Sequence, residues 1–121
     1  MKTLTQAEEE IMQILWKLQE ANLASILDEM PAPKPAYNTV STIVRILESK
    51  EFVDYRKEGR GHIYFPLVSK DAYSKSTAGK FASNYFKGSY KSMVSFFMEQ
   101  EKLSVKDLEE ILNEINKKSW S

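Results

Sequence analysis

The chain has 121 residues, 42% apolar and 28% charged, with seventeen basic residues against seventeen acidic ones. That length holds one ordinary domain or two small ones, and the composition is globular rather than disordered. The absence of cysteine excludes disulfides, thiolate metal sites and thiol catalysis, while the neutral total speaks weakly against a nucleic-acid binder.

The opening MKTLTQAEEE lacks a basic-then-apolar leader, and no run approaches the ~20 apolar residues of a membrane helix, so a soluble cytoplasmic protein is expected. Thr5-Gln6-Ala7-Glu8 reads as a capping box that opens a helix, with Ile11, Ile14, Leu15 and Leu18 on one face. A short second helix runs from Leu23 to Met30 and is stopped by Pro31. The segment PAPKP is a stiff extended turn, since each proline biases its predecessor away from helix. Asn38 or Thr39 caps a third helix, in which Val40, Ile43, Val44 and Leu47 recur at i, i+3, i+4 and i+7.

After Lys50 the period becomes two. Val53 and Tyr55 alternate with Asp54 and Arg56, and Ile63, Phe65 and Leu67 alternate with His62 and Tyr64. Glu58-Gly59-Arg60-Gly61 supplies the turn between them. Pro66 places the second strand at an edge or ends it. Three helices and a hairpin are the element order of a winged helix-turn-helix, here residues 1–69.

From residue 70 the pattern is helical throughout. A weak amphipath from Lys70 to Phe86 is broken by Gly88, and Tyr90 to Gln100 is apolar nearly all round. Ser104, with Asp107 three residues on, caps a last helix striped by Val105, Leu108, Ile111, Leu112 and Ile115. About fifty residues in three such helices bury too little surface to stand alone. Residues 70–121 therefore read as a helical dimerisation domain of a homodimer, with Phe81, Tyr85, Met93, Val94, Phe97, Leu108, Ile111, Leu112 and Ile115 at the interface. The alternative is packing back on the first domain. The expected fold class is mainly α with a small β-hairpin wing.

No catalytic constellation stands out. The single histidine, His62, has no second histidine or cysteine with which to build a transition-metal site, and reads as structural or as a phosphate donor. Glu8-Glu9-Glu10 and Glu109-Glu110 point in different directions around their helices and read as solvated faces. Gly59-Arg60-Gly61 is too short for a phosphate-cradling loop. No cofactor, metal or small-molecule ligand is implied.

DNA is the partner that the middle of the chain suits. Lys34, Arg45, Lys50, Arg56, Lys57 and Arg60 make a local basic bias, diluted by Glu48, Glu51, Asp54 and Glu58. If the apolar stripe of the third helix faces inwards, Asn38, Ser41, Thr42, Arg45 and Ser49 face a major groove. Arg45 can fork onto a guanine, and Asn38 can meet an adenine edge or a phosphate. Arg56, Lys57 and Arg60 then straddle phosphates from the hairpin, with His62 and Tyr64 on the same strand face. The bland alternative is an exposed polar helix and a solubilising hairpin tip. A winged-helix module for protein–protein contact is the competing function.

LTQAEEEIMQILW, NTVSTIVRILESKEFV and YRKEGRGHIYFPLVSKDAY together resemble the penicillinase-repressor family of bacterial transcription factors. YFKGSYKSMVSFFMEQEKLSVKDLEEI resembles that family's helical C-terminal part. The resemblance implies a homodimeric repressor on a palindromic double-stranded operator, with a recognition helix at about 38–50 and a basic wing at about 56–62. Thr39 and Thr42 match the family's threonines there; Ile46 stands where some relatives carry arginine. The cysteine cluster of copper-responsive members is absent. Beta-lactam-responsive members are released when a membrane sensor-protease cuts an Asn-Phe bond among the dimerisation helices. The aligned bond here is Phe96-Phe97, without the asparagine, and the alternative is that both rings are core.

Overall fold

The computed structural model describes residues 1–120. Six helices flank one antiparallel hairpin: α1 (Gln6–Leu18), α2 (Leu23–Glu29), α3 (Tyr37–Ser49), β1 (Val53–Glu58), β2 (Gly61–Pro66), α4 (Lys70–Phe86), α5 (Tyr90–Glu99) and α6 (Val105–Trp120). The chain divides into two compact units, Met1–Thr77 and Ala78–Ser121.

In the first unit α1 to α3 pack around Ile11, Met12, Leu15, Ile26, Val40, Val44 and Leu47, all fully buried, with Ile43 partly so. The inward stripe of α3 is therefore the one its spacing predicts. Thr5 caps α1 through the reciprocal capping box, its hydroxyl accepting from the Glu8 amide while the Glu8 carboxylate accepts from the Thr5 amide.

A left-handed Glu51 (φ 64°) ends α3 in a Schellman motif: the Phe52 amide donates to the Leu47 carbonyl at 2.9 Å and the Glu51 amide to Glu48 at 3.0 Å. That turn drops Phe52 into the core and launches the hairpin, whose register pairs Tyr55 with Tyr64 and Lys57 with His62. Gly59, at φ 63°, takes the positive-φ place in the turn. Ala21 adds a third strand stub, exchanging 2.9 and 2.8 Å backbone bonds with Tyr64. The sequence pattern shows no strand there, because a single bridging residue has no period.

The first unit extends past the expected boundary at residue 69. Tyr73 on α4 is buried against Trp16 and Phe52, with ring centroids at 5.9 and 5.7 Å, and its hydroxyl donates to Glu9 at 2.8 Å. Trp16 in turn donates from Nε1 to the Val68 carbonyl at 2.8 Å. One tyrosine inside a weak amphipath carries no local mark of such packing.

The second unit has almost no interior. Among its described residues only Ala82 is buried, and α5 buries none. Phe81, Phe86, Phe96 and Phe97 form a chain of ring contacts with centroids 5.5–5.8 Å apart. Tyr85 is nonetheless 72% exposed and Leu112 57%, and Phe96, Ile111 and Ile115 are exposed beside them.

Candidate nucleic-acid interface

The third helix begins two residues earlier than a cap at Asn38 would place it. Ala36, in extended geometry after Pro35, is the N-cap and offers no side-chain cap, so neither Asn38 nor Thr39 caps the helix. Both lie in its first turn and both are exposed. The reason is that Pro35 and Ala36 already hold the extended entry, and helical geometry starts as soon as the prolines end. Ala36 makes no side-chain cap hydrogen bond and the first turn carries no acidic residue, which leaves the positive pole of this helix end for an external acceptor.

From that end of α3 outward, Asn38, Ser41 and Arg45 stand at i, i+3 and i+7. They line a groove of about 490 Å³ whose other walls are Asn22, Leu23 and Ala24 at the start of α2 and Arg60, Gly61 and His62 at the wing tip. Five of the residues expected at a DNA surface thus share one concavity: Asn38, Ser41, Arg45, Arg60 and His62. Thr39 and Thr42 lie outside it, on the neighbouring stripe of the helix. The Thr42 hydroxyl donates back to the Asn38 carbonyl at 2.9 Å, and Ser49 does the same to Ile46 at 2.7 Å.

His62 is positioned by aromatic stacking. Its ring lies 4.3 Å from Tyr55 at an interplanar angle of 20°, edge-on to Tyr64. Lys57 sits opposite it in the register and therefore on the same face of the hairpin. Tyr64, beneath them, is buried, and burial pushes its hydroxyl above the ordinary tyrosine range; it is a packing residue rather than an exposed contact.

The six bases of the middle segment do not form one patch. Lys34 donates to the Leu27, Asp28 and Met30 carbonyls at 3.0, 2.7 and 3.0 Å and so caps the end of α2. Lys50 lies against Glu8, at 2.7 and 2.9 Å from its two carboxylate oxygens. Glu8 is only 3% exposed, which corrects its reading as part of a solvated acidic face. Burial alone raises its pKa, but hydrogen bonds from Lys50 and the Thr5 amide outweigh that and hold it below the usual glutamate value. Arg56 points to the opposite face of the hairpin from Lys57 and forks onto Glu20 at 2.7 and 2.9 Å, with Glu58 at 3.4 Å. Arg45, Lys57 and Arg60 remain, making no ion pair among the described residues. These partners lie 36 and 42 residues away in the chain, beyond the reach of periodicity.

Among the described residues no group of three or more histidine or acidic side chains is placed to hold a metal, and no helix is long and apolar enough to cross a membrane.

Residues 4–117 match the family model described as Penicillinase repressor. The chain is 32% identical over 116 residues to the methicillin resistance regulatory protein MecI of Staphylococcus aureus (strain N315), covering 95% of this chain and 94% of that protein. It is 27% identical over 109 residues to the penicillinase repressor of Bacillus licheniformis, covering 89% and 85% respectively. Among solved structures, the DNA-binding domain of the repressor BlaI superposes with a TM-score of 0.52 at 27% identity, over 60% of this chain and 94% of that one. Monomeric Bacillus licheniformis BlaI in complex with the blaP half-operator gives 0.50 at 26% identity, over 60% and 89%.

Proposed function

The chain belongs to the penicillinase repressor family and is a DNA-binding transcriptional repressor with a winged-helix fold; we propose that it works as a homodimer on a palindromic operator, reading bases from α3 and holding phosphates with the wing tip. The observation that carries the reading is the shared groove, in which Asn38, Ser41 and Arg45 of α3 face Arg60 and His62. The BlaI solved with its half-operator has the same fold over this part of the chain.

In this arrangement α3 enters the major groove with its uncapped N-terminus towards a phosphate. Arg45, extending from the middle of the helix, forks onto a guanine, and Asn38 and Ser41 contact base edges or the adjoining phosphate. Lys57, Arg60 and His62 reach the next stretch of backbone and fix the register. Arg56 is held back by Glu20. Arg45, Lys57 and Arg60 are the cations that face DNA in this reading, so the neutral total is compatible with a positive contact surface.

The second unit supplies the dimer. An unburied α5 and an exposed stripe of Ile111, Leu112 and Ile115 on α6 support this, because a second copy would cover both. Proteolytic release by a membrane sensor-protease is the finer part of the reading. The Phe96-Phe97 bond lies inside α5, with Phe96 43% exposed, and its ring contacts Phe86. A cut there separates α6 from the rest of the chain and breaks the ring cluster. Incubation with the cognate protease followed by mass mapping checks it; an intact chain rules that step out.

The dimeric operator reading is tested by hydroxyl-radical footprinting on the DNA upstream of the protein's own gene, with sedimentation of the complex. Two protected half-sites about one helical turn or a small multiple apart, bound by two protomers, are expected. A single protected half-site bound by one protomer contradicts it.

A further inference from the structure

Ile46 is a large aliphatic side chain, 41% exposed, on a DNA-facing helix whose other outward positions, Tyr37 in the first turn apart, are polar. Residues three and seven apart share a stripe of a helix, and adjacent residues stand about 100° apart. Two neighbouring stripes therefore run along α3. Asn38, Ser41 and Arg45 form the one that lines the groove with the wing. Thr39, Thr42 and Ile46 form the other, on the side away from that groove, and all three are exposed. Each of these three carries a methyl group and none carries a charge; Ser49 continues the line at the end of the helix. Thr42 also commits its hydroxyl proton to the Asn38 carbonyl, so the methyl is its remaining group for outward apolar contact.

A single exposed isoleucine is ordinary on a protein surface, but one that faces a major groove gains from an apolar partner. In the major groove one base offers one: thymine, through its 5-methyl group. We propose that the Thr39–Thr42–Ile46 stripe is a thymine-methyl reader and that Ile46 is a specificity-determining residue. The half-site then places one or more thymines beside the base that Arg45 contacts. This rests on α3 reading the operator and adds which base chemistry one flank of it selects.

The test replaces thymine by uracil, which has identical pairing edges and lacks only the methyl. The full-length protein first selects its preferred duplex from a randomised pool, and each thymine of that duplex is then changed to uracil in both half-sites. Wild type should lose about fourfold in affinity per half-site at one or two positions, the ~0.8 kcal/mol of one buried carbon group. Ile46→Ala should bind the thymine and uracil duplexes alike at one of them. Thr42→Ser, which keeps the hydroxyl bonded to Asn38, should do so at another. Equal binding of uracil and thymine at every position by wild type overturns the proposal, as does a full uracil penalty in both variants. Selection that yields no preferred duplex refutes the operator reading itself, and this inference with it.

Discussion

Replacing Glu8 by alanine should destabilise the first unit far more than its position in an acidic run suggests. The Glu8 carboxylate is buried, accepts from Lys50 at 2.7 and 2.9 Å, and accepts from the Thr5 amide at 2.9 Å. Breaking a buried ion pair by removing one partner costs about 3–5 kcal/mol, because the other charge is left without compensation. Lys50 keeps 23% of its side-chain exposure, so some water reaches it and the lower end applies. Loss of half the capping box adds up to about 1 kcal/mol. We expect about 3–4 kcal/mol in total, a large part of a typical domain's stability of ~5–15 kcal/mol. Urea unfolding followed by far-ultraviolet circular dichroism, at one fixed protein concentration, measures it; an m-value near 2 kcal/mol/M turns the loss into a midpoint drop of about 1.5–2 M. Glu10→Ala, two residues away and exposed, is the control and should stay within ~0.5 kcal/mol. The pH dependence has a definite sign. Because the folded-state pKa of Glu8 is lowered from 4.5, its contribution is complete above that pH and is lost as the pH falls towards the folded value. Glu8→Gln should therefore flatten stability against pH below about 4.5. A Glu8→Ala variant no less stable than Glu10→Ala would refute the reasoning.

Arg60→Ala and Lys57→Ala should each weaken binding to all duplexes alike and lower the magnitude of the salt slope by about 1, whereas Arg56→Ala, held by Glu20, should change the slope little; anisotropy titrations at several salt concentrations separate the two cases. Leu112→Glu places a charge on the exposed α6 stripe and should shift sedimentation from dimer to monomer, weakening operator binding by at least tenfold while leaving the thermal unfolding of the winged unit in place. Glu51→Gly relieves a left-handed non-glycine residue at the end of α3 and should raise stability by about 0.5–1 kcal/mol in urea unfolding.

Much of the fold is legible in the sequence because its elements are built from local periodicity and caps. The inward stripe of α3, the Thr5–Glu8 box and the Ser104–Asp107 box all occur where spacing places them. The glycine-containing turn of the hairpin does too. What spacing does not show is pairing at a distance. Glu8 with Lys50, Arg56 with Glu20 and Tyr73 with Glu9 join segments far apart in the chain. Each changes what a residue is free to do: three of the six bases expected near DNA are already engaged. The start of α3 is a smaller lesson of the same kind. Asn and Thr favour caps, but the chain had already entered helical geometry when it reached them. Ile46 is visible in the sequence as an apolar residue off the inward stripe, and its exposure on the outer face is what suggests the proposed role.

The central claim is that Arg45 reads a base while the wing tip holds phosphates. It is tested most directly by anisotropy on the DNA upstream of the protein's own gene, titrated with salt, for wild type, Arg45→Ala and Arg60→Ala. Saturable binding with a steep negative salt slope is expected for wild type. Arg45→Ala should lose ~1–3 kcal/mol and its preference at one base pair, while Arg60→Ala keeps the preference and loses affinity uniformly. An Arg45→Ala variant that discriminates operator from random duplex as well as wild type does would contradict the account.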